Sequence, residues 1–562
     1  MNPHPTMKTD NTPAFSSRRP LALPRRRFLQ LGLGSLAAHC LPGLRADGGE
    51  AAGTDVVSII HTTDLHGNIL PTSDYDGNAD LGGLARCATR IARWREENPN
   101  SLLVDAGDLY QGTEVGLRTE GQIMIDTLNH LDFDSWVIGN HEFDWGVDVM
   151  AAAVANSRMP VLAANGELGG HKVWTEAGRG AGALKPYFIR EVGGKKIAVI
   201  GLTTPGMPNW FLPELLGDFV AHDPVPVFEA LLREIEDQNP DAILLTCHMG
   251  GRPDYFADDE ANRIRSITRL CRRSDGGSRI AGIIAGHTHR DIPQADVDGT
   301  LYTQAAFFGI QLGRLDLHFD RDSGELVRAE PVTERMDSSV ALDPAVVALT
   351  SDRVEEAEQH LAQPGGELAE EFSHQRHRQN PTDIERLIGA SIFHGLRGHG
   401  EEADVVMHGM LFQRTPWEAG AKTVRNSWEI IPFENYLVTA EVTLEALEAI
   451  ALEAWRSRRV MMGFRASFQG RGDSTRVTSM RDSQGRPLEP TRRFRLAVNS
   501  YDAAGGGGRL TTLRRVLEEP ESRRTLHRLQ SRALLVDFLN KHKPLKVADL
   551  FEVTGVPDET LL

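Results

Sequence analysis

The sequence predicts an α/β fold of stacked layers followed by a smaller α+β domain. Three observations carry that expectation. Short β-branched runs, such as Val56-Val57-Ser58-Ile59-Ile60 and Ala242-Ile243-Leu244-Leu245-Thr246, alternate with longer stretches at helical spacing, as a sheet with both faces covered requires. Several of these runs end in polar clusters built from Asp, Asn and His. A charged helical stretch broken at Pro364-Gly365-Gly366 then divides the chain into a longer and a shorter part.

Residues 47 to 54, rich in Gly, Ala and Asp, read as a linker into a first strand that ends at His61-Thr62-Thr63-Asp64-Leu65-His66. Residues 70 to 80 are polar and turn-rich and form a surface loop. Leu84, Cys87, Ala88, Ile91 and Trp94 lie at helical spacing on a helix reaching about Glu97. Ser101-Leu102-Leu103-Val104 is a strand leading into Asp105-Ala106-Gly107-Asp108. A helix from Gln122 to Leu131 and a short strand over 133–138 lead into Gly139-Asn140-His141-Glu142-Phe143-Asp144. A helix over 149–156 and strands over 159–164 and 197–202 follow. A helix over 225–237 precedes the strand that ends at Cys247-His248. A helix over 259–273 precedes the strand that ends at Gly286-His287-Thr288-His289. Residues 301–308 and 312–319 read as paired edge strands closing this domain. The segment from Asp343 to Leu361 is helical and charged. The expected organisation is a first domain over 54–338, a linker helix over 339–367 and a second domain over 368–562, whose Gly505-Gly506-Gly507-Gly508 run reads as a loop.

The chain has 562 residues, 40% hydrophobic and 25% charged, with a formal net charge of −17. The first 46 residues carry seven basic groups and one acidic group, leaving −23 on the rest. An acidic body argues against a general nucleic-acid-binding surface. Arg25-Arg26-Arg27-Phe28-Leu29-Gln30 followed by the short apolar run Leu31 to Ala38 reads as a signal peptide over 1–46, with paired arginines that point to the twin-arginine export machinery and a periplasmic destination. That run is too short to span a bilayer, and no other segment offers a stable membrane span. Cys87, Cys247 and Cys271 show no disulfide spacing and read as buried small hydrophobes.

Asp64, His66, Asp108, Asn140, His248, His287 and His289 thus all follow the ends of apolar strands, where open α/β sheets keep their chemistry. The ordered set Asp-x-His, Gly-Asp, Gly-Asn-His-Glu, His, Gly-His-x-His resembles the calcineurin-like metallophosphoesterases. The longer form Gly139-Asn140-His141-Glu142-Phe143-Asp144 is similar to the bacterial 5′-nucleotidase branch, which includes 2′,3′-cyclic phosphodiesterase and UDP-sugar hydrolase types. The resemblance implies a metallophosphoesterase sandwich holding two divalent metal ions. Asp64, His66 and His289 belong to one, Asn140, His248 and His287 to the other, and Asp108 bridges them. An all-nitrogen-and-oxygen set suits manganese, zinc or iron without choosing among them. It further implies an exported phosphohydrolase in which hydroxide formed at the two metals attacks phosphorus in line with the leaving oxygen. His141 is expected to donate a hydrogen bond or a proton there, held by Asp144.

The second domain departs from the family pattern. Met407-His408-Gly409-Met410-Leu411-Phe412-Gln413-Arg414 stands where Asn-Gly-Gly-x-Arg is usual. Ile431-Pro432-Phe433-Glu434-Asn435 has Glu434 in place of glycine. Gly505-Gly506-Gly507-Gly508-Arg509 lacks both the acid and the aromatic of Gly-Gly-Asp-Gly-aromatic. Phe464 and Phe468 are then the expected base platforms. Arg414, Arg425 and Arg509 are candidate anion clamps. The substrate expected is a small-molecule phosphoester, most naturally a nucleotide. Two alternatives stay open: a thiosulfohydrolase of sulfur oxidation on the same scaffold, and a metal-binding protein without catalysis.

Overall fold

The computed structural model describes residues 53–550, apart from 176–177, 180–182, 254, 376–380 and 410–415, with the backbone alone at 178–179. The expected signal peptide over 1–46 and the candidate Arg414 lie outside the described residues.

Alternation along the apolar runs builds the first domain. Ile59, Leu102, Val104 and Val199 point into a layer between two sheets, while Ile60, Leu103 and Ile200 point the other way, toward helices. A strand buried on both faces has to be apolar throughout, which is why these runs are continuous rather than alternating. The first six-stranded sheet runs in the order Leu326–Arg335, Gln311–Asp320, Thr54–Thr62, Ser101–Asp105, Ser135–Val137, Val161–Leu162. The second runs Asp291–Val297, Thr300–Ala305, Gly282–Ala285, Ala242–Cys247, Lys195–Leu202, Tyr187–Val192. Helices Leu84–Glu97, Gln122–His130 and Val147–Asn156 cover the first sheet, and Pro224–Glu236 and Ile264–Cys271 cover the second. The central strands of each sheet are parallel, so their C-terminal ends share one edge.

Residues 301–308 and 312–319 do not pair with each other as expected. Thr300–Ala305 belongs to the second sheet, between Gly282–Ala285 and Asp291–Val297. Gln311–Asp320 belongs to the first, matched along Thr54–Thr62 from Thr54↔Asp320 to His61↔Gly313. The turn between them, with φ of 51° at Ala306, 56° at Phe308 and 66° at Gly309, crosses from one sheet to the other. Reading neighbours in sequence as a hairpin misses longer partners elsewhere. The helix expected over 259–273 is shorter, Ile264–Cys271, because Asp258 Oδ1 accepts from Arg265 N and Ser266 N and holds the preceding residues as a capping loop.

Helix Pro344–Leu361 starts where Asp343 Oδ1 accepts from Ala345 N and Val346 N, with Pro344 in the first turn. It lies on the first domain through Arg353–Asp126 at 2.6 Å and Arg118–Glu356 at 2.9 Å. The Pro364-Gly365-Gly366 break is itself a strand, Pro364–Leu368, antiparallel to Gly420–Thr423, so it belongs with the second unit rather than the linker. Gly365 permits this: a Cβ there would sit 2.4 Å from the Thr423 backbone. The second unit is a mixed five-stranded sheet in the order Val460–Met462, Val405–His408, Arg493–Asn499, Tyr436–Thr443, Thr525–Gln530. Leu444–Arg456 and Thr511–Glu518 pack on one face, Asp383–Gly398 and Ser531–Lys541 on the other. Among the described residues no helix is long and apolar enough to cross a membrane.

Candidate active site

The shared sheet edge brings all seven candidate ligands together. Ligand atoms of Asp64, His66, Asp108 and His289 lie within 4.8 Å of one another, and so do those of Asp108, His248 and His287. Asp108 is common to both groups. Asn140 joins the second, its Oδ1 3.1 Å from His248 Nε2. Five of these side chains stand on left-handed backbone: Asp64 (φ 51°), His66 (50°), Asp108 (61°), His287 (77°) and His289 (54°). That conformation costs of order 1–3 kcal/mol per non-glycine residue and persists only where the surroundings impose it. Here the surroundings do so. Asp64 N donates to Gly107 O at 2.9 Å, His66 N to Asp108 O at 3.0 Å, and Phe308 N to Asp64 O at 2.7 Å.

The donor set fits a cation. His248 Nδ1 faces Ala106 O at 2.8 Å, so it donates there and Nε2 is the nitrogen turned into the cluster. Nε2 lies 3.0 Å from Asp108 Oδ2 and 3.1 Å from Asn140 Oδ1. His66 Nδ1 likewise faces Gln111 O at 2.6 Å, turning its Nε2 toward His289 Nε2 at 2.9 Å and Asp108 Oδ2 at 3.8 Å. Oxygens and ring nitrogens this close need positive charge among them, which a proton on His248 or a bound cation supplies, and a cation held by such a set is how a metal site is built. Burial lowers His66 and His287 to about 3, so both imidazoles are neutral. Burial also works against charge on Asp108 and His248. Yet His248 and His141 hold the Asp108 carboxyl well below the usual range, and Asp108 pushes His248 up to about 9.

His141 follows Asn140 and packs edge-on against His66, with ring centroids 4.9 Å apart, but belongs to neither group of ligand atoms. Its Nδ1 lies 2.9 Å from Asp144 Oδ2, as expected, and its ring remains partly open to the cavity. Burial lowers its pKa, but Asp144 and Asp108 outweigh that and push it up to about 10. Glu142, to which the sequence reading gave no role, is fully buried. Its carboxylate accepts from Gly139 N at 2.6 Å, Leu109 N at 2.7 Å and Asp108 N at 3.2 Å, tying the loops of Asp108 and Asn140 together. Tyr75, in the loop expected near this edge, places its hydroxyl 2.8 Å from His289 Nδ1 and so orients that ring.

The site opens into a cavity of about 770 Å³ shared by the two domains. The second-domain candidates do not reach it. Phe464 is 1% exposed in the core beneath Leu444–Arg456. Phe468 stacks on Trp455 at 4.5 Å. Arg509 is exposed, and its carbonyl accepts from Ser457 Oγ at 3.3 Å. Arg425 pairs with Glu358 of the linker helix. All four sit away from the cavity because neighbours on other elements, unknowable from local pattern, claim them. The aromatic residues that do line it from the second domain are Phe433, Tyr436 and Tyr501. Phe433 lies in the Pro-Phe-x-Asn stretch and stacks on His141 at 5.5 Å. Tyr501 precedes the glycine run, and the signal that could have found it was its place at the end of strand Arg493–Asn499. Gln111 and Arg459 also line the cavity and carry no local motif.

Residues 57–291 match the pattern of the calcineurin-like phosphoesterases, and residues 360–515 that of the 5′-nucleotidase C-terminal domain. The chain is 29% identical over 317 residues to the 5′-nucleotidase of Rattus norvegicus, covering 52% of this chain and 51% of that one, so the match spans about half of that relative's length. It is 24% identical over 576 residues to the 2′,3′-cyclic-nucleotide 2′-phosphodiesterase/3′-nucleotidase of Haemophilus influenzae, covering 86% of this chain and 84% of the relative. The solved structure of a putative 5′-nucleotidase from Staphylococcus aureus shares the fold, with a TM-score of 0.70 at 22% identity over 86% of this chain and 96% of that one. The chain thus belongs to the calcineurin-like phosphoesterases that carry a 5′-nucleotidase C-terminal domain, a family of metal-dependent phosphoester hydrolases.

Proposed function

We propose that this chain is an exported hydrolase of 5′-nucleotides or closely related nucleotide compounds. The observation that carries this reading is the pair of convergent acceptor clusters sharing Asp108, with the His141–Asp144 pair beside them and aromatic rings across the cavity. Asp64, His66 and His289 would hold one divalent cation and Asn140, His248 and His287 a second, with Asp108 common to both. Such ions supply Lewis acidity and make water acidic enough to serve as a nucleophile at neutral pH.

The chain's own residues do the rest. Glu142 keeps the two ligand loops in register, so the phosphoryl group meets a preorganised site. As water oxygen bonds to phosphorus, the bond to the leaving oxygen breaks, and His141 Nε2 donates its proton to that oxygen. Asp144, on Nδ1, favours the protonated ring and fixes its orientation. Phe433 and Tyr501 offer flat apolar faces for a base on the leaving group. The paired arginines near the N-terminus support export by the twin-arginine route to the periplasm.

The test is phosphate release by the purified mature protein with added manganese. The panel holds an aryl phosphate and diester, several 5′-nucleotides, a 2′,3′-cyclic nucleotide and a nucleotide sugar. Nucleotide turnover well above aryl ester turnover is expected. Activity on aryl esters alone refutes the nucleotide assignment and leaves the phosphohydrolase. Two bound metals with no turnover refute both and return the weight to sulfur-ester hydrolysis or to binding.

A further inference from the structure

The second-domain wall of the cavity contains a buried ion pair, Arg459–Asp502, that the proposed chemistry does not use. Arg459 immediately precedes strand Val460–Met462, and its Nε donates to Asp502 Oδ1 at 2.9 Å, with the two side chains 7% and 1% exposed. Asp502 is itself fixed: Asn499 Nδ2 donates to its Oδ2 at 2.9 Å, and its backbone N donates to Asn499 Oδ1 at 2.7 Å. The guanidinium passes over Gly409, where an added Cβ would lie 2.6 Å from Nε, so only glycine leaves room for it. Arg459 lines the cavity, and among the described residues its acceptor, Asp502, is met through Nε rather than through the two Nη nitrogens. Tyr501 lines the same wall. Its hydroxyl lies 2.9 Å from where a Cβ on Gly507 would stand, so it occupies the space that an acidic side chain at that position would need.

We infer that Arg459 reads the base of the leaving group and selects 6-oxopurine nucleotides over adenine nucleotides. This rests on the nucleotide reading above. Asp502 already balances the charge of Arg459, so a further anion at the fork would be buried without compensation, whereas a neutral pair of acceptors is matched. The two remaining Nη donors form a planar fork, and O6 and N7 of guanine or hypoxanthine are the neutral acceptor pair that such a fork meets bidentately. Adenine presents N6–H₂ at the same edge and sets donor against donor. Asp502 and Gly409 hold the fork in place, which limits the entropy lost when it binds.

The experiment compares kcat/KM for 5′-GMP, 5′-IMP and 5′-AMP in the full mature chain with added manganese. GMP and IMP are expected within about twofold of each other and about tenfold or more above AMP, within the range of one bidentate arginine contact. In Arg459→Gln the GMP-to-AMP ratio is expected to fall to within about twofold of one. Should that variant fail to fold, judged by its melting temperature, Arg459→Gln with Asp502→Asn keeps a neutral hydrogen-bonded pair and serves the same comparison. A wild-type ratio near one, or a ratio unmoved in a folded variant, overturns the inference while leaving the nucleotidase reading intact. An equal loss on GMP, IMP and AMP in the folded variant also overturns it, in favour of an anion site. Turnover of aryl phosphate with none of any nucleotide overturns the nucleotidase reading and this inference with it.

Discussion

Glu434→Gln removes the carboxylate at the centre of a buried bridge between the two domains. Glu434 Oε1 accepts from Ser531 Oγ at 2.8 Å, Asn435 N at 3.0 Å and Arg532 N at 3.3 Å, while Oε2 faces Arg532 Nε at 3.2 Å. The Arg532 guanidinium lies 3.2 Å from the centre of the Trp428 ring, and Trp428 Nε1 donates to Glu114 Oε2 of the first domain at 3.2 Å. Glu434 N donates to Gln111 Oε1 at 2.5 Å, and the Gln111 carbonyl holds His66. Both charged side chains are 5% exposed. Breaking a buried pair by removing one partner costs about 3–5 kcal/mol, because the other charge stays buried. Arg532 keeps the Ile431 carbonyl at 2.9 Å and the Trp428 face, so the low end, about 3 kcal/mol, is expected. For a domain of this size that corresponds to a melting shift of roughly 6–12 °C. Because two domains need not melt together, calorimetry is read with hydrogen exchange, which should show lost protection over 431–436. Arg532→Met should cost a similar amount, and the double variant less than the sum of the two. A shift below about 2 °C in both single variants, or additive effects in the double, refutes the argument.

Four further outcomes follow from the same geometry. His141→Asn should lower kcat by about 10²-fold or more with metal content by elemental analysis unchanged; loss of metal alongside would reassign His141 as a ligand. Asp108→Ala, which removes the side chain common to both clusters, should lose most of both metals, whereas His289→Ala should retain about half; equal retention refutes the shared role. Phe464→Ala should cost about 3–5 kcal/mol of stability without a selective rise in nucleotide KM, and a selective rise at unchanged stability would restore it as a base platform. Burial pushes the thiols of Cys87, Cys247 and Cys271 up to about 12. They stay neutral in the fold while unfolded thiols ionise near pH 8.5. Stability from these groups is therefore flat below that pH and falls above it by up to about 1.4 kcal/mol per pH unit per thiol. Native protein at pH 8 should resist a thiol reagent that titrates all three after denaturation, and rapid native labelling refutes this.

The metal-site residues were legible because each sits within a few residues of a strand end, and parallel strands necessarily bring their C-terminal ends to one edge. Once the runs before Asp64, Asp108, Asn140, His248 and His287 are read as strands, their convergence follows from topology alone. Left-handed backbone at five of the ligands was not legible, since Asp and His are ordinary residues whose φ is imposed by the neighbouring loops. In the second domain the same local reasoning chose Phe464, Phe468, Arg425 and Arg509, and the fold used each of them elsewhere. An aromatic or an arginine there has no strand-end rule to place it, and stacking on Trp455 or pairing with Glu358 is decided by how separate elements pack.

By itself, then, the sequence determined the layered fold and which candidate ligands gather at its edge beside His141 and Asp144, because periodicity and strand-end position are local properties. Tertiary structure alone decided that Thr300–Ala305 and Gln311–Asp320 join different sheets, that Glu434 closes on Arg532, and that Phe433, Tyr501 and Arg459 line the cavity with the candidate ligands. Those outcomes depend on which distant surfaces meet. A side chain's neighbours across a domain boundary are set by the packing of whole sheets and helices, and no window of sequence contains that information.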